Sequence, residues 1–159
     1  MTSAHDPEAA VASLRGQGVR AIRLLYTDLH GIARGKDIPL GHFVELFEDG
    51  VAFCAAVMGT DLAHTPVVGG EVGYSDFAIR PDLETLRVVP WQPEVAWCLG
   101  EAWHLDGSDH WAVCPRALLK RVVARYAEQG LLPIVGPELE HYLCVRDPEA
   151  PGGLRRYVD

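Results

Sequence analysis

The sequence predicts an α+β fold in which a short helix packs on a mixed sheet built from hairpins, followed by a second segment of one helix and one strand. Three observations point there. Strand-like alternation dominates the chain as far as Trp111, helical periodicity before that point is confined to short stretches, and a longer amphipathic helix begins at Pro115. With 159 residues, 48% of them hydrophobic and 23% charged, the chain carries enough apolar side chains to bury a core and lies outside the disordered class.

Asp6-Pro7 followed by Glu8, Ala9, Ala10, Val11 and Leu14 predicts a short, peripheral helix with Asp6 as its cap, ending at Gly16 or Gly18. Residues 19–28 (VRAIRLLYTD) are rich in branched and aromatic side chains and place Ile22, Leu24 and Tyr26 on one face, as a half-buried strand requires. Asp28-Leu29-His30-Gly31 is a turn signal, so IARGKDI folds back as a second strand. Leu40, Phe43, Val44 and Phe47 fall at helical spacing before Gly50, which marks a C-terminal stop. Residues 51–57 read as a short apolar strand and residues 59–73 as a long loop. Arg80-Pro81-Asp82 reads as a turn leading into TLRVVPW, and EVAWCLGEAW is a further strand ended by Asp106-Gly107.

One helix against such a sheet is an arrangement of the β-grasp, ubiquitin-like kind, and it defines a domain over residues 19–112 behind an N-terminal tail of residues 1–18. Residues 113–159 form the second segment. Its helix, 115–129, carries Leu118, Leu119, Val122, Val123, Tyr126 and Ala127 on one side and stops at Gly130, and LLPIVGPELEHYLCV then reads as a strong strand. A lone helix and strand make no core of their own, so the reading implies a chain that continues or a last segment that docks on a partner.

Charge excludes some functions. The net charge is -8, from 22 acidic and 14 basic residues, and no run of Lys/Arg exceeds two, so a nucleic-acid backbone would be repelled. No stretch is apolar enough to span a bilayer and the first residues lack the pattern of a signal peptide, which predicts a cytoplasmic protein. The four cysteines, at 54, 98, 114 and 144, show no paired or zinc-like spacing and read as reduced. Arg34 and Lys36 lack the glycine-rich strand-to-helix loop of a phosphate site and read as solvated charge.

Glu138-Leu139-Glu140 is the triplet richest in chemistry. In a strand, residues two apart share a face, so two carboxylates would stand side by side with Leu139 and His141 opposite, and their repulsion calls for a cation. Hard oxygen donors favour Mg²⁺ or Mn²⁺. Spacing alone also fits a solvated edge strand with two ordinary glutamates.

The wider context resembles the glutamine synthetase family. Gly136-Pro137-Glu138-Leu139-Glu140-His141-Tyr142-Leu143 is similar to the G-x-E-x-E-F-[FY]-L strand that opens that family's catalytic domain. Upstream, IRLLYTDLHGIARGK resembles its N-terminal hairpin, Phe47-Glu48-Asp49-Gly50-Val51-Ala52-Phe53 its F-x-x-G-x-x-F segment, and SDFAIRPDLETLRVVPW its S-D-x-x-x-x-P-D-x-x-T segment. The motifs occur in the family's order over residues 19–145.

The resemblance implies an ATP-dependent ligase that phosphorylates the γ-carboxylate of glutamate and lets ammonia or an amine displace the phosphate, with Mg²⁺ or Mn²⁺ held in part by Glu138 and Glu140. It implies a homo-oligomeric ring in which this N-terminal domain closes a neighbour's active site, with Asp76 near that shared site. The chain here would be a fragment inactive alone. The ammonia-using enzymes carry Phe-Asp-Gly-Ser-Ser, whose aspartate binds ammonium, where this chain has Phe53-Cys54-Ala55-Ala56-Val57. A thiol offers no such charge, so an amine acceptor is implied, unless Asp61 in the following loop substitutes. Asp82 reads as a turn residue bonded to nearby backbone. The competing reading is a short, non-catalytic β-grasp module that co-assembles with a full-length synthetase.

Overall fold

A computed structural model describes residues 6–67 and 73–158. The chain forms two compact units, Met1–Arg125 and Tyr126–Asp159. The first is a mixed five-stranded sheet with few helices, an α+β arrangement.

Helix α1 (Pro7–Gly16) starts where expected: the Asp6 carboxylate accepts from the Glu8 and Ala9 amides at 3.0 and 3.1 Å, and Pro7 needs no donor in the first turn. It is not peripheral, because Val11 and Leu14 are buried. Gly18, at φ +83°, reverses the chain into β1 (Ala21–Thr27). There the expected alternation holds, with Ile22, Leu24 and Tyr26 buried on one face. Strand β2 (Ala33–Pro39) pairs antiparallel with β1 across the Asp28–Gly31 turn.

The predicted helix over residues 40–50 is only a 3₁₀ turn at Leu40–His42 followed by irregular turns. Bonds from Phe43 and Phe47 reach back three residues and those from Leu46 and Gly50 four, so no α ladder is sustained. The apolar stripe still does its work: Leu40 and Phe43 are buried, and Gly50 stops the spiral at φ +79°. Strand β3 is shorter than expected, Val51–Cys54, and passes into a 3₁₀ turn at Ala55–Met58. The predicted loop 59–73 falls partly outside the described residues.

Strand β4 (Asp76–Val89) runs straight through the predicted turn at Arg80-Pro81-Asp82. Proline is tolerated because pairing with β3 ends at Ile79, leaving Pro81 a neighbour on one side only, opposite Gly100. The expected irregularity appears later, as a register shift between Asp82 and Arg87. Strand β5 (Gln92–Trp103) pairs antiparallel with β4 and parallel with β1, giving the order β2-β1-β5-β4-β3. A Cβ at Gly100 would overlap Ile79 and the Arg80 carbonyl, so only glycine fits there. The core gathers Ile22, Leu24, Phe43, Phe77, Ile79 and Cys98, each almost fully buried. Full burial of such side chains contributes about 1.5–3 kcal/mol apiece.

Helix α2 (Pro115–Glu128) forms as expected, with Gly130 at φ +71° after it. Only Ala117 of the helix is buried, while Leu118, Leu119, Val122, Val123 and Tyr126 are exposed.

The predicted strand over residues 131–145 is not formed. Residues 131–143 are neither helix nor strand, and Leu132, Ile134, Val135, Leu139 and Tyr142 stand exposed. The reason is physical: a strand exists through its ladder partner, and among the described residues, 131–142 belong to no sheet, only the Leu143 carbonyl taking a backbone bond, from the Tyr157 amide at 2.8 Å. Pairing begins only at β6 (Cys144–Arg146), which forms a hairpin with β7 (Leu154–Arg156) that the sequence reading missed. The Asp147-Pro148 to Gly152-Gly153 cluster between the strands was its signal.

Candidate functional site

The first unit's sheet curls until its two edges, β2 and β3, approach one another. The ring of Tyr26 on β1 lies edge-on to that of Phe53 on β3, centroids 4.8 Å apart. Lys36 of β2 donates to the Ala52 carbonyl of β3 at 2.6 Å and lies 4.5 Å over the Phe53 ring. Lys36 is therefore a bridge between the edges and not merely solvated charge.

On β3 the register pairs Phe53 with Phe77 and Cys54 with Asp76. Directly opposed residues share a face with Cβ atoms about 4.5–5.5 Å apart, so the Asp76 and Cys54 side chains leave the edge on the same face. Both are exposed, and the thiol reaches toward the Tyr74 carbonyl at 3.8 Å. Phe53 points inward to Tyr26 and Phe77, which leaves Cys54 and Asp76 on the opposite side of the edge. Asp61 serves its own loop: its Oδ1 accepts from the Ala63 and Thr65 amides at 2.8 and 2.9 Å.

The hairpin turn is organised by Asp28, whose side chain is wholly buried. Its Oδ1 accepts from the His30 and Ile32 amides, both at 2.9 Å, and its Oδ2 from Arg34 Nε at 2.8 Å. Burial works to raise this carboxyl, but the Arg34 and backbone hydrogen bonds outweigh it and hold it below the usual carboxylate range. Burial pushes the neighbouring Tyr26 phenol up to about 12, so it stays neutral. Arg34 is thus paired to a buried acid and only partly exposed.

A second charged cluster fastens the start of α2 to the sheet. Asp82 does bond nearby backbone, accepting from the Glu84 amide at 3.2 Å, but its other oxygen accepts from Arg116 at 2.7 Å and Lys120 at 3.1 Å. Glu101, buried on β5, takes His110 Nε2 at 2.8 Å together with Lys120 and, at 3.4 Å, Arg116. Desolvation works to raise both carboxyls, and the hydrogen bonds from Arg116 and Lys120 to Asp82, and from Lys120 and His110 to Glu101, hold them below their ordinary values. The sequence reading missed Glu101, His110 and Lys120 because their sequence separation gives no local pattern. This network anchors a helix through ion pairs, although the buried Arg116 Nε makes no hydrogen bond within it.

Of the sequence-predicted site residues, Asp76 belongs to the first unit, and Glu138 and Glu140 to the second, in the exposed stretch without strand. Their shared face therefore has no ladder to enforce it. As donors they suit a hard divalent cation in kind, but among the described residues no group of three or more His, Cys, Asp or Glu side chains is gathered to hold a metal ion. Two carboxylates leave most of an octahedral shell to water, phosphate oxygens or other ligands. All four cysteines are free; Cys98 and Cys114 are buried, and burial pushes the Cys98 thiol up to about 11. No helix among the described residues is long and apolar enough to cross a membrane.

No protein-family model matches the chain. Type-1 glutamine synthetase 2 of Dictyostelium discoideum is 31% identical over 126 residues, which cover 76% of this chain and 24% of that protein. A γ-glutamylpolyamine synthetase of Streptomyces coelicolor is 36% identical over 124 residues, 76% of this chain and 26% of that one. Among solved structures, a GmaS–ADP complex superposes with a TM-score of 0.61 at 28% identity, over 75% of this chain and 25% of its own. The chain spans about a quarter of the length of these curated relatives. By sequence and by fold, then, the homologues of this chain are glutamine synthetases and γ-glutamyl amine and polyamine synthetases, the glutamate ligases of the glutamine synthetase family.

Proposed function

We propose that the chain is the front part of an ATP-dependent ligase that activates the γ-carboxylate of glutamate as γ-glutamyl phosphate and transfers it to an amine in preference to ammonia. The reading rests on homology to such synthetases over three-quarters of the chain. In this reading residues 19–112 form a β-grasp domain, supported by the parallel pairing of β1 with β5 between two antiparallel hairpins. Residues 113–159 then open the catalytic domain, and the whole protein assembles as a homo-oligomeric ring in the cytoplasm. Free cysteines suit that compartment.

Preference for an amine follows from the sheet edge. Cys54 stands where the ammonia-using enzymes carry their ammonium-binding aspartate, and a thiol gives a small desolvated cation no compensating charge. Asp61 is engaged within its own loop, whereas Asp76 stands beside Cys54 with its carboxylate exposed. We assign Asp76 the role of holding the ammonium end of the acceptor. Glu138 and Glu140 would hold Mg²⁺ or Mn²⁺, which when bound neutralises phosphate charge as the phosphoryl group transfers.

The test is product formation by the full-length protein that carries this chain, supplied with glutamate, ATP and Mg²⁺ or Mn²⁺ and offered ammonia, monoamines or polyamines in turn. A γ-glutamyl amide formed fastest from an amine is the expected result. Ammonia as the best acceptor overturns the acceptor assignment, and absence of any ATP-dependent γ-glutamyl product overturns the ligase reading.

A further inference from the structure

Where the sheet edges meet, three side chains of the β1–β2 hairpin reach across to β3 and the loop after it. Lys36 holds the Ala52 carbonyl at 2.6 Å, His30 Nε2 meets the Thr60 carbonyl at 2.7 Å, and Arg34 Nη2 meets His64 Nδ1 at 3.2 Å. The three bonds differ in how they respond to a proton. Lysine donates at any pH below its own titration, and a histidine donating through Nε2 keeps that bond whether neutral or charged. Arginine has no acceptor atom, so the Arg34–His64 bond exists only while His64 Nδ1 keeps its lone pair. Protonation of His64 replaces an acceptor with a second cation facing the guanidinium.

We propose that the seam between the sheet edges is a proton-operated latch, in which charging of His64 releases residues 61–67 from the hairpin while the bridges from Lys36 to Ala52 and from His30 to Thr60 hold. The surroundings favour release over rearrangement. Arg34 cannot retreat, because Nε is tied to the buried Asp28 at 2.8 Å. His64 sits at φ +63° in a turn held by the loop's own bonds, its amide donating to the Asp61 carbonyl at 3.0 Å, so the loop keeps its internal structure when the bond to Arg34 is lost. The charged and titratable groups around the seam are Arg34 and Lys36 on β2, Tyr26, Asp28 and His30 on β1 and its turn, Cys54 on β3, and Asp61 in the loop. Asp28 is held ionised by its three donors and the Tyr26 phenol stays neutral, so neither changes charge at the seam. His30 keeps its bond to the Thr60 carbonyl when charged. The loop follows directly on the 3₁₀ turn that begins after Cys54, so its release changes the segment next to that end of β3.

The experiment is amide hydrogen exchange of the protein at pH 8 and 5.5, with rates corrected for intrinsic chemistry, reading Asp61, Ala63, Thr65 and Val67 against Ile22 and Leu24 in the sheet. Loss of one exposed hydrogen bond predicts a roughly five- to tenfold fall in loop protection at pH 5.5, with the sheet amides unchanged. His64→Gln keeps an acceptor that does not titrate and should abolish the pH response, and His64→Ala should lower protection at both pH values. Equal loop protection in the parent at the two pH values overturns the latch, as does a pH response that survives in His64→Gln.

Discussion

Replacing Asp28 tests whether the buried carboxylate organises the hairpin turn. The side chain is fully shielded from solvent and makes three hydrogen bonds, two to backbone amides and one to Arg34. Asp28→Ala removes all three and leaves two backbone amides without their acceptor as well as Arg34 without its partner, at about 1–3 kcal/mol for each stranded amide. Asp28→Asn keeps an oxygen for the two amides and loses only the charge-assisted bond to Arg34, which is partly exposed and can turn to water. Its cost is therefore smaller, about 1.5–3 kcal/mol. Urea unfolding followed by tryptophan fluorescence measures this cleanly, because Trp91, Trp97, Trp103 and Trp111 all lie in the first unit and the second contributes none. An Asp28→Ala midpoint corresponding to less than about 1 kcal/mol of lost stability would refute the reasoning, and so would an Asn variant as damaged as the Ala variant.

Two further outcomes follow from the same structure. Asp28, Asp82 and Glu101 all have folded-state carboxyls below their ordinary values, so the unfolded chain binds more protons than the folded one as pH falls. Their stabilisation is present above the unfolded values of about 3.9 for Asp and 4.3 for Glu, and is lost as pH drops through that range and on through the folded values. Urea midpoints at pH 7, 5, 4 and 3 should hold from 7 to 5 and then decline; a rise toward pH 3 would contradict the ion-pair assignments. Phe77, almost fully buried and with its ring 4.4 Å from Trp111 and 5.5 Å from Tyr26, should cost about 3–5 kcal/mol when truncated to Ala, read by the same unfolding assay.

The parts of the fold that local chemistry dictates were legible in the sequence. The Asp6-Pro7 cap, the alternation from Ile22 to Tyr26, the Asp28 turn and the glycines after each helix each act within a few residues, so spacing suffices to find them. What escaped depends on distant partners. Residues 40–50 have helical spacing, yet Leu40 and Phe43 are pulled into the core by contacts that do not sustain an α ladder. Pro81 reads as a turn until the sheet order shows that β3 has already ended beside it. Arg34 and Lys36 read as solvated because nothing local reveals a sheet curled until its edges meet, and the Asp82–Glu101–Arg116–Lys120 network joins residues up to 38 positions apart.

The Glu138–Glu140 pair shows the same division at the level of function. Residue type already states that these donors suit a hard cation, and that statement needs no structure. The claim that both face one way needs a strand, and a strand needs neighbours, yet among the described residues, 131–142 belong to no sheet. Exposed Ile134, Val135, Leu139 and Tyr142 show the same want of a partner from the apolar side, since a stretch so hydrophobic is stable in water only when covered. Covering the apolar side chains and aligning the carboxylates are thus one event: a ladder that buries one face fixes the register of the other. Metal affinity in this stretch should therefore appear together with strand pairing and not before it, whereas the register of Cys54 opposite Asp76 is already fixed within a formed sheet.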